Sequence, residues 1–192
     1  ESEENLRLMR LIDEQYLHWA TGWNPYDPAK LTQLSFNTSP AIITNMMMER
    51  LVAPNGPTRG RLLRPGDNKE PQSFAFVQCA GSRDENHLHH CSYVCCIATF
   101  KQISYIRAQY PEAKIYVFYI DLRTPGKYEQ FRAKFMEDPN TTFIKGKVAS
   151  ILAESDGSVT VSAEDALGGS KINRKVDLCI LATGMQPALG SA

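Results

Sequence analysis

The chain has 192 residues, of which 43% are hydrophobic, and its formal net charge at neutral pH is +0. This length suits one domain of ordinary size or one domain plus part of another, and the hydrophobic content suffices for a buried core. The balanced charge argues against a nucleic-acid surface, and the lack of an apolar run of roughly 18 residues argues against a membrane span.

The first part of the chain is predicted to hold two helices separated by irregular structure. Apolar residues recur at helical spacing over 3–18, and a short helix is predicted over 46–52. Residues 53–73 are rich in proline, glycine and basic side chains, which is typical of a linker or an extended surface loop. The two ends of the sequence lead us to expect a piece of a longer protein.

From residue 73 onward the pattern changes to alternating strands and helices. The predicted elements are a strand at 73–79, a helix at 91–110, a strand at 114–121, a helix at 127–137, and strands at 141–154, 158–164, 171–176 and 177–183. Strands that are apolar on both faces belong to the centre of a parallel sheet. The sequence therefore predicts a three-layer α/β domain with a β-meander.

Four of the five cysteines cluster directly after the first of these strands. They form the four-cysteine motif Cys79, Cys91, Cys95 and Cys96, with the spacing C-x11-C-x3-C-C. Disulfide frameworks of secreted proteins distribute cysteines along the whole chain, so this pattern suits a reducing cytoplasm and a metal or redox site. Four thiolates that meet at one point can hold a zinc ion or an iron–sulfur cube.

The adjacent pair Cys95 and Cys96 favours a [4Fe–4S] cluster over zinc. If the helix begins at Cys91, then Cys91 and Cys95 share a helix face, while Cys96 is rotated by about 100°. The corners of a four-iron cube can meet neighbouring residues more easily than one ion can, and the positive helix N-terminus favours thiolates. Zinc, a thiol–disulfide site and inert packing remain alternatives. Cys179 is predicted to be an ordinary buried thiol.

Several charged residues near the motif have two interpretations each. His87, His89 and His90 could bind metal or shuttle protons, or they are simply solvated. Arg83 and Lys101 could raise the potential of a redox centre, or they are ordinary surface charges.

Two A-T-G tripeptides bracket the predicted α/β domain, and each is followed by a proline three residues on: Ala20–Gly22 and Ala182–Gly184. The strand–turn–helix at 74–95 lacks the G-x-G-x-x-G pattern of a dinucleotide site. Asp121 lies where the ribose of NAD would be held, but NAD(P) binding is not predicted without those glycines.

These motifs resemble flavoproteins of the two-dinucleotide-binding kind, such as thioredoxin reductases, in which an A-T-G strand lies at each crossing between flavin and nicotinamide domains. The segments Ala75–Asp84 and Cys91–Cys96 resemble the A subunit of heterodisulfide reductase. Within that group, three segments resemble the flavoprotein component (the A subunit) of the quinone-interacting membrane-bound oxidoreductase, which works beside adenylylsulfate reductase: Ala20–Asp27, Thr44–Arg50 and Ala53–Thr58.

The resemblance implies site residues and cofactors. The family's cysteine motif, which holds an unusual [4Fe–4S] cluster in the heterodisulfide reductase relatives, carries onto the four-cysteine motif. The flavin-contacting turns carry onto two residue pairs: Thr21, Gly22, Thr183 and Gly184. Because the G-x-G-x-x-G that holds the FAD pyrophosphate is missing, we expect FAD in the full-length protein rather than on this segment alone.

The resemblance also implies a place for the protein in the cell. We expect a fragment of an electron-transfer oxidoreductase of sulfur metabolism, on the cytoplasmic face of the membrane, whose partners are other subunits of a membrane-associated complex and adenylylsulfate reductase. The implied organisation is a partial flavin-domain segment with a linker at 1–72, a Rossmann-like nicotinamide-type domain at 73–184, and a truncated return to the flavin domain at 185–192. A zinc-stabilised docking module and a thiol–disulfide redox domain are the alternatives.

Overall fold

A computed structural model describes residues 3, 4, 7 and 22–188. Most of the helix predicted over 3–18 lies outside the described residues. The chain divides into two compact units, one formed by Glu1–Asn24 with Gln186–Ala192 and the other by Pro25–Met185. The fold and the candidate site described below belong to the second unit.

The described residues contain ten strands and three complete α-helices. The strands are β1 (Trp23–Pro25), β2 (Ile42–Thr44), β3 (Ser73–Ala80), β4 (Lys114–Tyr119), β5 (Thr141–Lys145), β6 (Val148–Ala153), β7 (Val159–Glu164), β8 (Lys171–Val176), β9 (Leu178–Thr183) and β10 (Met185–Pro187). The helices are α1 (Asn45–Val52), α2 (Cys95–Gln109) and α3 (Tyr128–Met136).

A five-stranded parallel sheet with the order β2-β9-β3-β4-β5 forms the centre of the larger unit. All six residues of β9 are buried, as are most of those of β3, because strands in the middle of such a sheet are covered on both faces. Helix α2 connects β3 to β4, and α3 connects β4 to β5. Strands β1 and β10 form a separate two-stranded sheet.

The two faces of the parallel sheet are covered by different layers. On one face Phe74 and Phe76 of β3 pack with Phe100 and Ile103 of α2. On the other face the antiparallel sheet β6-β7-β8 contributes its own apolar side chains to a second core cluster, which includes Val161. The predicted three-layer, Rossmann-like α/β fold with a β-meander is confirmed.

The strand predicted over 141–154 is in fact two strands that belong to different sheets. Strand β5 is the edge of the parallel sheet, whereas β6 starts the antiparallel one. Gly146 lies between them, and a Cβ there would come within 2.0 Å of the Glu164 carbonyl oxygen. The chain therefore changes sheets at a point where only glycine fits against the neighbouring backbone.

The predicted linker at 53–73 packs against α2. Leu62 is fully buried, its N–H donates to the Gln109 side chain (2.8 Å), and the Tyr110 hydroxyl donates to its carbonyl oxygen (2.8 Å). Buried contacts of this kind fix a segment that lacks helix and strand.

Among the described residues, none of the helices has the length and apolar character that crossing a bilayer requires.

Candidate metal centre

The candidate site lies at the carboxyl edge of the parallel sheet. Strands β3, β4 and β9 all end at this edge, and α2 begins there. In open α/β sheets, ligands bind in the crevice just beyond the carboxyl ends of the strands. A small pocket occupies that position.

The four-cysteine motif lines this pocket. Cys79 comes from the end of β3, Cys91 from the following loop, and Cys95 and Cys96 from the first turn of α2. All four are free thiols, and so is Cys179, which is buried in β9. The structure thus brings together the four residues predicted from spacing, while their role as ligands stays a prediction.

The backbone around the pocket takes an uncommon conformation at three residues. Cys79, Arg83 and Tyr93 have φ angles of 55°, 56° and 58°, a region that non-glycine residues seldom adopt. At Cys79 this coincides with a register shift between Val77 and Ala80 in the pairing with β9, and such a bulge re-aims a side chain. Local strain of this kind concentrates at functional sites.

The prediction that the helix starts at Cys91 is wrong, because α2 begins at Cys95. The positive φ of Tyr93 cannot continue a right-handed helix, so Cys91 and Cys95 do not share a helix face. Cys91 lies instead in the preceding loop, where its sulfur accepts the Tyr93 N–H (3.4 Å). No side chain caps the start of α2 at Val94, which leaves the positive end of the helix dipole at the pocket.

The donor set fits an iron–sulfur cluster, but the pocket is closed. Its volume is about 10 Å³, the space of roughly one water molecule. Among the described residues, no group of three or more histidine, cysteine or acidic side chains stands in positions that could hold a metal ion. Binding a cluster there therefore requires a different arrangement of the four thiols from the one in this structure.

Burial favours the protonated form of three of the pocket thiols. It raises the pKa of Cys79 to about 11 and that of Cys95 to about 12, and the neighbouring sulfurs add to both shifts. Burial also raises the pKa of Cys96. A metal that binds here must displace these protons. Since the thiolate is the reactive form of cysteine, burial lowers the reactivity of these three thiols.

An ion-pair network borders the pocket. The Asp121 carboxylate pairs with Arg83 and, at 3.4 Å, with Arg123. Two guanidinium groups therefore donate to the Asp121 carboxylate at the border of the pocket. Lys101, the other cation considered from the sequence, pairs with Glu49 (3.0 Å) and does not line the pocket.

The three loop histidines, all within the described part of the chain, do not line the pocket either. His87 Nδ1 bonds to the Tyr26 hydroxyl (2.7 Å), and His90 Nε2 bonds to the Met185 carbonyl (2.9 Å). His89 is exposed. The contacts of His87 and His90 hold the loop in place rather than supplying ligands.

The second predicted flavin turn touches the cysteine pocket. The Cys95 thiol donates to the Thr183 carbonyl (3.5 Å), and a Cβ on Gly184 would come within 2.0 Å of the Ser82 hydroxyl oxygen. Of the first turn, Thr21 lies outside the described residues, and Gly22 belongs to the other compact unit. Flavin contact at all four residues stays a prediction.

Sequence reasoning missed four residues that line the pocket: Ser82, Ser92, Tyr93 and Arg123. Ser82 follows Cys79 closely, and Ser92 and Tyr93 lie between motif cysteines, so their proximity in sequence was an available signal. Arg123 follows β4, and only the pairing of β4 with β3 brings it to the site.

The chain is similar in sequence to several curated proteins. It is 37% identical over 171 residues to an iron–sulfur A subunit of the CoB–CoM heterodisulfide reductase of Methanopyrus kandleri, covering 88% of this chain and 26% of that protein. It is 38% identical over 171 residues to the A subunit of the ferredoxin:CoB–CoM heterodisulfide reductase of Methanosarcina mazei, covering 88% and 21%. The chain is homologous to a segment of the heterodisulfide reductase A subunit. It spans about a quarter of the length of these relatives, and no protein-family model matches it.

Solved structures that align with part of this chain include two thioredoxin reductases. The enzyme of Streptococcus pyogenes aligns with a TM-score of 0.41 at 15% identity, and that of Lactococcus lactis with 0.42 at 10%. Each alignment covers 62% of this chain and 33% of the other. The fold assignment rests on the sheet topology described above.

Proposed function

We propose that this chain is a segment of an FAD- and iron–sulfur-containing electron-transfer subunit, and that the four-cysteine motif holds a [4Fe–4S] cluster. One observation carries the proposal: four free thiols from β3, the following loop and α2 line a single pocket at the carboxyl edge of the sheet. The names of several relatives include the words "iron-sulfur subunit", which agrees with this donor set.

The cluster would supply one-electron transfer when bound, and the residues of this chain would bind and tune it. The uncapped start of α2 and the guanidinium groups of Arg83 and Arg123 place positive charge beside the thiolates. Burial of Cys95 and Cys96 keeps water away from half of the ligand set. Such a site needs no acid–base residue, because burial, charge and hydrogen bonds set the potential.

The flavin part of the proposal concerns the two A-T-G turns. We place flavin contacts at Thr21, Gly22, Thr183 and Gly184 in the full-length protein. The contacts of Thr183 and Gly184 with the cysteine pocket support this placement, because a flavin held at this turn would lie close to the candidate cluster. The division at 1–72, 73–184 and 185–192 is part of the same proposal, although β2 at Ile42–Thr44 pairs with β9 inside the parallel sheet.

A further part of the proposal concerns the partners of the full-length protein. We propose that the full protein works on the cytoplasmic face of the membrane, between a quinone-interacting complex and adenylylsulfate reductase. Motif resemblance supports this choice. The relatives' names support membership in a multi-subunit reductase. Co-purification of the full-length protein with adenylylsulfate reductase would favour this assignment, and co-purification with heterodisulfide reductase subunits alone would contradict it.

Anaerobic reconstitution with iron and sulfide tests the cluster. We expect a brown protein with about four irons and four sulfides per chain, and broad absorbance near 400 nm. A colourless protein that retains zinc would support the docking module, and a metal-free protein with reversibly titrating thiols would support the thiol–disulfide domain. Either result would contradict the proposal.

A further inference from the structure

The Ser82 side chain presents an unexplained polar atom to the cysteine pocket. Ser82 lines that pocket and is 2% exposed. Its hydroxyl oxygen has no hydrogen-bond partner among the described residues. A buried hydroxyl without a partner is unfavourable because it has lost its hydrogen bonds to water, so a native protein that keeps one usually has a use for it.

The surrounding turn holds this hydroxyl in one place. The Ser82 N–H donates to the Cys79 carbonyl (3.2 Å), and the residue forms a bridge with Leu88. Its hydroxyl oxygen lies against the backbone of Gly184, where a Cβ would come within 2.0 Å of it. The hydroxyl is therefore fixed between the end of β3 and the turn after β9.

Two other buried oxygens also lack partners among the described residues, but their surroundings differ. The Gln78 and Gln102 amides each leave one oxygen unpaired, yet their nitrogens donate to Thr99 Oγ1 (2.6 Å) and the Asn45 carbonyl (3.0 Å). Neither glutamine lines the cysteine pocket. Ser82 alone among these three combines a wholly unpaired side chain with a position beside the thiols.

Two other polar side chains of the pocket lining already have hydrogen-bond partners. The Asp121 carboxylate is already engaged by Arg83 and Arg123, and the Ser92 hydroxyl oxygen accepts the Met185 N–H (2.7 Å). The sulfurs of the four-cysteine motif line the same pocket as Ser82. Sulfur accepts hydrogen bonds weakly as a thiol but well as a thiolate or sulfide.

We infer that the Ser82 hydroxyl donates a hydrogen bond to a sulfur of the cluster and thereby raises its reduction potential. This inference rests on the proposed function. Reduction adds negative charge to the cluster, so a hydrogen bond to its sulfur stabilises the reduced form more than the oxidised form. Ser82 is thus a positioning and tuning residue that ligates no iron.

The test compares Ser82→Ala with wild type after anaerobic reconstitution of the full chain, by redox titration monitored by electron paramagnetic resonance. We expect equal iron content and a lower midpoint potential for the variant. Pulsed electron paramagnetic resonance before and after exchange into heavy water should detect an exchangeable proton coupled to the cluster in wild type. The variant should lack this signal. Ser104→Ala is the matched control, because Ser104 is a helix residue whose hydroxyl donates to the Lys101 carbonyl away from the pocket, and it should leave both readouts unchanged.

Unfolding of the metal-free proteins separates this role from a structural one. Ser82→Ala removes an unpaired hydroxyl, so it should leave the stability of the metal-free protein unchanged or slightly higher. A loss of stability with an unchanged potential would overturn the inference and leave the cluster intact as a proposal. If wild type takes up no cluster, both the inference and the proposed function fail. Ser82→Gly, which also lacks the hydroxyl, must show the same lowered potential, and an unchanged value would overturn the inference.

Discussion

The five cysteines of the chain occupy two distinct environments at the residue scale. Four line one pocket, whereas Cys179 is fully buried within β9. Exchanging Cys95 for alanine removes a proposed ligand, so iron uptake should fall to less than half of the wild-type value. Cys179→Ala leaves the proposed ligand set complete, and it should keep full iron content at a stability cost of about 1 kcal/mol.

Equal iron content in the two variants, each confirmed to be folded by circular dichroism, would contradict the assignment of Cys95 as a ligand.

The contacts of the Asp138 carboxylate predict that the protein loses part of its unfolding free energy in acid. Burial would raise the pKa of its carboxyl, but the Thr141 hydroxyl (2.6 Å) and the Arg107 guanidinium (2.6 Å) donate to it and hold the pKa below its ordinary value. Because the folded-state pKa is depressed, the stabilisation is present above about pH 4 and is lost as the pH falls through the folded value. Asp138→Asn should therefore lose about 2 kcal/mol of unfolding free energy at pH 7.

Urea unfolding at pH 7 and pH 3 checks this, and the difference between wild type and Asp138→Asn should shrink in acid. The exposed neighbour Glu137 provides the control, since Glu137→Gln should change stability by less than about 0.5 kcal/mol at either pH. If the difference in unfolding free energy between the two proteins grew in acid, the pKa of Asp138 would be raised in the folded state and not lowered.

Sequence spacing found the thiols of the site but not the groups around them. The cysteines stand out because four of them cluster in a short stretch. Ser82 and Arg123 are common residue types at ordinary positions, and their relevance depends on burial and on the neighbouring strand. Such roles follow from tertiary packing, which local patterns do not contain.

The elements that carry the site depend on a tight turn after β3. Gly81 has a φ of 82°, and a Cβ there would come within 2.4 Å of the Tyr26 ring. Gly81→Ala should therefore cost about 2–4 kcal/mol, the sum of left-handed backbone strain and a displaced aromatic ring. Because Tyr26 also bonds to His87 in the loop (2.7 Å), iron uptake should fall as well.

Gly169→Ala is the matched control for that turn. Gly169 has a φ of 64°, and no described atom lies within 4 Å of where its Cβ would stand, so only the backbone strain of about 1 kcal/mol applies. Thermal unfolding of both variants gives the comparison. Equal losses of stability in Gly81→Ala and Gly169→Ala would mean that the contact with the Tyr26 ring adds nothing to the cost of the first substitution.

The elements that the sequence predicted less well share a physical cause. The apolar pattern continues across Gly146, so β5 and β6 looked like one strand until the sheet assignments separated them. Strand β2 has only three residues, too few to show a period. The start of α2 was misplaced because apolar spacing does not reveal the positive φ of Tyr93. The long strands and helices, by contrast, carry enough periodic residues to be predicted.

At the level of the whole molecule, the pocket exists only when β3, β4 and α2 are assembled. Its thiols come from β3, from α2 and from the loop between them, so a bound cluster would connect the central sheet to the helix layer. Ligands that bind only the folded state raise the unfolding temperature. Loading with iron and sulfide should therefore raise the unfolding temperature of wild type, measured anaerobically by calorimetry. The same treatment should leave the unfolding temperature of Cys79→Ala unchanged.

An equal rise in the unfolding temperature of Cys79→Ala would contradict this expectation, because it would mean that iron binds elsewhere on the protein.

The most direct test of the cluster is X-ray absorption at the iron edge of the anaerobically loaded chain. We expect iron coordinated by sulfur alone, with iron–iron scattering from a cube, and the loss of that signal when all four motif cysteines are replaced by alanine. Isolated iron with oxygen or nitrogen ligands, or the same spectrum in the variant without the motif, would contradict it.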